Sequence, residues 1–425
     1  MSKIFGGWLL VIMAGMPLYT SMALASLVFL WLIGMPVTIL PQKMAGSINS
    51  FPIVAAPLFI LMGNILGKAQ ITDRIVHFAS ALIGWIRGGY AHASILTSVI
   101  FAGMVGSAVA DAAGSGAIEI RAMRKAGYRP ETAASITAAA ATIGPIIPPS
   151  LPMVIYGVTA DVSVGKLFMG GLIPGLLMGV SLMLMVGFVA RREGMGRIAF
   201  PGFRVLGKTF VDCFFAIMTP VVILGGMFSG VFTPTEAAAI ACLYAAFLGF
   251  VVYRTLHLAD IGPILIETAE TTGVVMVLVM AAGALGYCIS VSRLPVELTP
   301  MLLSTIKSPL VFLLMVNVFL LVVGCFMEAL AALLILIPIL SPAAASYGID
   351  PVQFGVMVVL NLIIGTVTPP VGVVLFVVTR IAEISFEKMA RAVMPWLLPL
   401  FFVLALVTLW PPLTTWLPHF MTSAR

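Results

Sequence analysis

The sequence predicts an all-α polytopic membrane protein built as an inverted repeat, each half holding a re-entrant hairpin and a broken helix. Three observations predict it. First, 61% of the 425 residues are hydrophobic, only 9% are charged, and the mean hydropathy is +1.17. A soluble domain has roughly a quarter of its residues charged, so this chain cannot cover itself with polar surface. Second, apolar runs of spanning length recur from Trp8 to Leu417, and the alternating segments of a membrane β-barrel are absent. Third, Gly144-Pro-Ile-Ile-Pro-Pro149 and Gly365-Thr-Val-Thr-Pro-Pro370 set proline pairs inside apolar stretches. A constant offset of 221 residues carries Gly144, Pro148 and Pro149 onto Gly365, Pro369 and Pro370. The same offset carries Gly103, Gly127 and Pro130 onto Gly324, Gly348 and Pro351. Matched breaks in a duplicated membrane protein are the pattern of a secondary transporter.

Counting Lys and Arg in the loops threads the chain, because cytoplasmic loops carry the excess of positive charge. With a cytoplasmic N-terminus, a first span over Trp8 to Gly34 leads out. Its apolar stretch is too long for the core of a signal peptide, although Ala23-Leu-Ala25 resembles a cleavage site. A second span near Pro52 to Gly67 returns to a loop with Lys68, Arg74 and Arg87. From Tyr90 a hairpin dips to mid-membrane, turns at Gly103 to Asp111, and comes back to Arg121, Arg124, Lys125 and Arg129. Ala133 to Ala160, broken at the first proline pair, crosses outward, and Leu167 to Ala190 crosses back. Spans at Cys213–Phe228, Ala237–Val252 and Thr271–Ser290 follow. A second hairpin, Leu310 to Ala345, dips from the outside. The second broken helix, Phe354 to Val378, returns inside, and a last span over Trp396 to Leu417 ends outside. This threading leaves 17 basic residues inside and 5 outside: Lys43, Lys166, Arg293, Lys307 and Arg425. Four segments result: scaffold spans at 1–89, a first repeat core at 90–190, linking loop and scaffold spans at 191–308, and a second repeat core at 309–425.

The breaks carry the chemistry. A Pro-Pro pair stops a helix by removing amide donors and clashing with the preceding turn, and it disfavours helical backbone one residue earlier. Carbonyls freed in hydrocarbon cost several kcal/mol each unless satisfied, and Na⁺ is a hard cation that accepts such oxygens. Thr366 and Thr368 add hydroxyls at the second break, and Ser107 adds one at the first hairpin tip. The opposing half-helix N-termini, opened by Pro149 and Ser150 and by Pro369 and Pro370, present amides and partial positive charge suited to a carboxylate. A single such motif reads as a kink; two at matched positions, each after a glycine-marked hairpin, read as one site.

Ionisable residues in apolar segments are costly and mark function or caps. Asp111 and Glu328, at comparable hairpin positions, are read as substrate-side or capping carboxylates. Glu236 in Phe232-Thr-Pro-Thr-Glu236 fits a helix N-terminus capped by Thr233 or Thr235. Asn317 and Asn361 can bridge helices. His77 and His92 read as interfacial, and the 26 methionines as packing. Cys213, Cys242, Cys288 and Cys325 lie singly without CxxC spacing, as small buried hydrophobes. No GxxxxGK[ST] phosphate loop appears, and the four histidines form no HExxH pair, which disfavours an ATP-driven pump and a membrane metalloprotease.

Ser107-Ala-Val-Ala-Asp111, Ala126-Gly-Tyr128, Thr142-Ile-Gly-Pro-Ile-Ile-Pro-Pro-Ser150 and Val154-Ile-Tyr-Gly157 resemble the large membrane subunit of TRAP transporters, the DctM-like permeases. Phe232-Thr-Pro-Thr-Glu-Ala-Ala238, Met327-Glu328, Gly365 to Pro370 with Val371-Gly372, and Ile384-Ser-Phe386 extend the resemblance over essentially the whole chain. It implies a bacterial inner-membrane, Na⁺-driven importer of organic anions such as dicarboxylates, sialic acids or sugar acids. It further implies an elevator-type scaffold and transport domain, Na⁺ as coupling ion with no other cofactor, and no enzyme activity. The implied partners are a small four-helix membrane subunit and a periplasmic binding protein, with no nucleic acid. The short stretch before the first span is expected to leave no room for a fused small subunit. The resemblance maps the sodium sites around Ser107, Gly144, Ile147 and Pro148, and around Gly324, Gly365 and Thr368. Two positions depart: Val105 stands where the family has serine, and Ala112-Ala-Gly-Ser115 where it has Ala-Ala-Leu-Gly. The first takes a side-chain ligand at 105 out of play and leaves the carbonyl argument intact. A stand-alone sodium–carboxylate symporter and, further off, an intramembrane enzyme are the other readings. Thr368→Val or Gly365→Leu is expected to abolish Na⁺-dependent transport and leave membrane insertion intact; unchanged uptake with either reduces the second break to a kink.

Overall fold

The computed structural model describes residues 7–8, 11, 15–197, 199–292 and 304–423, and among these the chain is helical throughout. Eight helices among the described residues are long and apolar enough to span a membrane. The structure opens with α1 (Leu18–Leu32), α2 (Ile39–Ile48) and α3 (Ala55–Lys68), the last preceded by a short 3-10 turn at Phe51–Val54. Next comes α4 (Ile71–Ile83), where the sequence reading expected a loop. Its 13 residues reach about 20 Å, short of the roughly 30 Å hydrocarbon core. Ile71, Ile75, Phe78 and Ala79 are buried while Asp73 and His77 face out. Scattered charges on one face of an amphipathic helix looked like a loop.

The first repeat runs α5 (Gly89–Val105), α6 (Ala108–Ala113), α7 (Ser115–Lys125), α8 (Pro130–Ala141), α9 (Leu151–Ala160) and α10 (Val164–Glu193). Between the repeats lie α11 (Phe203–Phe228), α12 (Pro234–Phe247) with a π-turn at Leu248–Val252, and α13 (Leu258–Val291). The second repeat runs α14 (Pro309–Phe326), α15 (Ala329–Ser346), α16 (Pro351–Gly365), α17 (Val373–Ala382) and α18 (Phe386–Leu409), followed by α19 (Pro412–Ser423). The offset of 221 holds to the residue at the end of the first hairpin arm, at both ends of the second arm, and at the start of the broken helix. One extra residue then enters after the second proline pair. Leu151 therefore matches Val373, Ala160 matches Ala382, and the N-caps Ser163 and Ser385 match at 222.

The two repeats interlock. The distal half-helix α9 packs on the hairpin arm α15, and its counterpart α17 packs on α6 and α7. Likewise α8 packs on α18 and α16 on α10. Around this core, α13 lies against α1, α2 and α3, while α3 packs on α12 and α4 on α11. Loops that the charge count assigned to one side meet one another. Lys68 pairs with Asp260 at 3.8 Å, Arg124 with Glu383 at 3.9 Å, and Thr132 donates to Glu193 at 3.4 Å. At the other end Thr235 donates to the Phe51 carbonyl, Tyr347 to that of Ile306 and Tyr156 to that of Pro351. Arg293 and Arg425, counted as outside charges, lie outside the described residues, as does part of the expected first span.

Several span limits differ from expectation. The helix expected from Thr271 begins at Leu258, where Asp260 accepts from the His257 amide at 2.9 Å and starts it early. The last span runs Phe386–Leu409 and stops at Trp410-Pro411, since proline cannot continue the ladder; α19 is separate. Other local readings hold. Thr233 and Glu236 form a reciprocal capping box at the start of α12. Asn361 Nδ2 donates to Asn317 Oδ1 at 2.6 Å and to its carbonyl at 3.0 Å, and Asn317 Nδ2 donates to Thr408 Oγ1 at 3.0 Å. These bonds tie α14, α16 and α18 together, and Gln353 adds two more to the Val407 and Thr408 carbonyls. Asn361→Ala strands one amide acceptor in the core and is expected to cost about 1 kcal/mol. Thermal unfolding in detergent checks this, with Asn361→Gln as the comparison; an unchanged midpoint means the network is idle.

Candidate functional site: two hairpin tips against two broken helices

Each hairpin tip is pressed against the break of its own repeat. In the second, Gly324 and Gly365 meet backbone to backbone: a Cβ on Gly365 would lie 2.6 Å from the Gly324 Cα and carbonyl carbon. No side chain fits there without moving the tip. The Gly372 amide donates to the Cys325 carbonyl at 2.9 Å, and the Cys325 thiol approaches the Pro369 carbonyl at 3.6 Å. In the first repeat Gly106, with φ +62°, turns the tip so that its Cα faces the Pro149 carbonyl and the Leu151 amide. The left-handed backbone favours glycine there. The Pro148–Pro149 and Pro369–Pro370 bonds are both cis.

Carbonyls released by the breaks find matched partners. The Pro145 carbonyl accepts from Ser150 Oγ, and the Thr366 carbonyl, its counterpart under the repeat, accepts from the Val374 amide at 3.1 Å. The last carbonyls of α8 and α16 are taken up by tight turns, that of Ala140 by the Ile143 amide and that of Gly365 by the Thr368 amide, both at 3.0 Å, each with a second lone pair left at its break. At the tips, the second arms begin at equivalent residues. Ser107 Oγ accepts from the Ala110 amide at 3.4 Å, and the Glu328 carboxylate accepts from the Leu330 and Ala331 amides at 2.9 and 3.2 Å. Ser150 caps α9 through the Met153 amide at 3.3 Å. Three of the site's helix N-termini thus carry side-chain caps, whereas α17 starts from Gly372 without one.

A cavity of about 700 Å³ joins the halves. Ser107 and Glu328 line it from the two tips, Pro145 from the first break, and Ile363 and Thr366 from the second. Its other wall comes from α3 and α13, through Asn64, Glu267 and Thr271, and it extends to Lys68, Gln70 and Asp73 at the basic end of the molecule. Thr366 is buried with its hydroxyl on the Ile363 carbonyl at 2.6 Å, and Thr368 donates to the Ile364 carbonyl at 2.8 Å. Both hydroxyl oxygens keep lone pairs for a cation.

Of the residues singled out in the sequence, Ser107, Glu328 and Thr366 line this cavity. Gly144, Ile147, Pro148, Pro149 and Ser150 build the buried first break behind Pro145, and Gly324, Gly365, Thr368, Pro369 and Pro370 build the second tip and break. Glu328 occupies its own helix N-terminus. Asp111 is turned into the interior of the first hairpin, accepting from Ser98 Oγ at 2.9 Å and Ser115 Oγ at 2.6 Å. Beside it on the same arm, buried Glu119 accepts from Ser94 Oγ. Sequence reasoning missed the wall formed by α3 and α13. A lone asparagine in an apolar span was the available signal: Asn64 Nδ2 donates to Thr268 Oγ1 at 3.0 Å, bridging α3 to α13 beside the cavity.

Comparison with known proteins agrees with this architecture. Residues 5–413 match the family model of the DctM component of tripartite ATP-independent periplasmic transporters. The chain is 46% identical over 414 residues to the sialic acid TRAP transporter large permease protein SiaM of Vibrio cholerae, covering 97% of each chain. It is 38% identical to the 2,3-diketo-L-gulonate TRAP transporter large permease protein YiaN of Escherichia coli, covering 94% of each. Against the sialic acid TRAP transporter permease protein SiaT of Haemophilus influenzae it is 39% identical, covering 97% of this chain and 67% of that one. In fold it is similar to the crystal structure of the Alcanivorax borkumensis YdaH transporter, with TM-score 0.66 at 16% identity over 89% of this chain and 90% of that one. An all-helical membrane chain with two inverted hairpin-and-break repeats, matched along nearly its whole length, belongs to the DctM family of TRAP transporter large permeases.

Proposed function

We propose that this chain is the transport subunit of a tripartite, Na⁺-coupled uptake system for an organic anion, working by an elevator movement. The single observation that carries the proposal is the cavity bounded by both tips and both breaks. It brings Ser107, Pro145, Glu328 and Thr366 from two inverted repeats to one space. Carbonyls at the ends of α8 and α16, with the Thr366, Thr368 and Ser107 hydroxyls, offer hard oxygens to one Na⁺ in each repeat. Na⁺ bound there offsets the accumulated negative ends of the half-helices, and the substrate carboxylate then meets cation charge and half-helix amides together. The coupling follows from this: without the cations, an anion entering the cavity faces the Glu328 carboxylate and the negative ends of the half-helices.

The cavity reaches toward Lys68, Gln70 and Asp73 at the basic end, so this conformation is read as inward-facing, with the N-terminus cytoplasmic and the C-terminus periplasmic in a bacterial inner membrane. The interlocked repeats form the moving body, and α1–α3 with α11–α13 form the scaffold. The cavity lies where these two bodies meet. The substrate reading is sialic acid, carried by the 46% identity to the sialic acid permease over nearly the full length, against 35% for a C4-dicarboxylate relative. A small membrane subunit and a periplasmic binding protein complete the system.

Proteoliposomes holding this chain with its small subunit are expected to accumulate sialic acid when an inward Na⁺ gradient and the cognate binding protein are both present. Uptake driven by Na⁺ without a binding protein contradicts the tripartite assignment, and uptake indifferent to Na⁺ contradicts the coupling. Gly324→Ala and Gly365→Ala, which push one methyl into the tip–break contact, are expected to lower uptake by at least about tenfold, equivalent to about 1.4 kcal/mol of lost productive docking. Their folding is checked by thermal unfolding in parallel. Uptake at the parent rate with either variant removes this contact from the mechanism.

A further inference from the structure

A cleft of about 1000 Å³, separate from the transport cavity, lies at the basic end of the molecule between the α7–α8 loop, the end of α10 and the start of α18. Four cations line it: Arg129, Arg192, Lys388 and Arg391. Two acidic residues, Glu131 and Glu193, share the lining, and Glu193 already accepts from Thr132. The ion pairs among the described residues are Lys68–Asp260 and Arg124–Glu383, so none of the four cleft cations is paired within 4.0 Å. An excess of basic residues at this end is what membrane topology alone produces. Four of them converging on one cleft is more than that.

The second observation is the surface leading into it. On α10, Leu184 and Phe188 precede Arg192 at four-residue spacing; on α18, Phe402, Leu398 and Met394 lead down to Arg391 at three- and four-residue spacing. Each of these five apolar side chains is more than half exposed. Residues at such spacing share a helix face, and α10 and α18 pack against each other. Two adjacent bilayer-facing stripes therefore change from apolar to basic within one turn, at the mouth of the cleft. A soluble anion uses only the charges, and a peptide partner has no use for a wall that continues into hydrocarbon. A phospholipid uses both.

We propose that this cleft binds an anionic phospholipid of the leaflet on the basic side, its phosphates between Arg192, Arg391, Lys388 and Arg129, its acyl chains along the two apolar stripes. The excess of cations over carboxylates, four against two, fits a headgroup with two phosphates. Basic pockets between membrane helices bind such headgroups through the same charges. Because α10 and α18 belong to different repeats, the lipid ties the two repeats together at the basic end of the molecule.

Native mass spectrometry of protein taken from phosphatidylcholine vesicles doped with diphosphatidylglycerol tests this. The double variant Arg192→Gln, Arg391→Gln is expected to retain at least about tenfold less of the doped lipid, while Arg204→Gln, Lys208→Gln, on the same face away from the cleft, retains the parent amount. Equal thermal midpoints in pure phosphatidylcholine show that both variants are folded; if the double variant unfolds, Lys388→Gln alone is expected to give a loss of about threefold. Equal retention by parent and cleft variants overturns the proposal, and so does equal loss in both double variants, which makes the effect one of general surface charge. Displacement of the lipid by inorganic phosphate alone also overturns it, because the cleft is then a site for small anions.

Discussion

In hydrocarbon a backbone carbonyl has no water to turn to, and a helix that breaks there must be met by something polar. This chain breaks two helices at proline pairs and meets both breaks with its own hairpins. The Gly324–Gly365 contact, the Gly372 bond to Cys325 and the close approach of Gly106 to Pro149 are ways of bringing backbone to backbone where a side chain would hold the pieces apart. With the tips docked, Ser107, Pro145, Glu328 and Thr366 line one cavity. The fold and the cavity follow from that docking.

The repeats are strict where the docking is strict. Both second hairpin arms start and stop at matched residues, and both broken helices start at a matched proline after a left-handed glycine, Gly127 or Gly348. They diverge where sequence can vary without loss. The second arm is kinked at Gly114 in the first repeat and continuous in the second. The tips are capped by Ser107 in one and Glu328 in the other, so the halves present different charge to the same space. The second repeat holds its helices with an asparagine–threonine network, whereas Leu96 and Ala140 stand at the corresponding positions of the first.

Much of this was legible in the residues. Proline pairs, matched glycines and loop charge gave both hairpins, both breaks and their opposite insertion, and Thr-Pro-Thr-Glu gave the capping box of α12. The rest depended on contacts that spacing does not carry. Asp111 was read as a substrate-side or capping carboxylate, and its bonds to Ser98 and Ser115 are contacts that spacing does not show. The register slip after Pro370 depends on how the tip meets Gly372. The amphipathic α4 hid behind its charges, and the far wall of the cavity, with Asn64 and Thr271, came from helices distant in sequence. Local grammar set the elements, while long-range packing chose which of their faces became the site.

The central claim is that two inverted breaks form one cation-dependent site, and cryo-electron microscopy in saturating Na⁺, with a matched map in K⁺, tests it most directly. The account predicts one Na⁺ density in each repeat, between tip and break, close to the ends of α8 and α16, and absent from the K⁺ map. Density at neither break, or the same density in both salts, would contradict it.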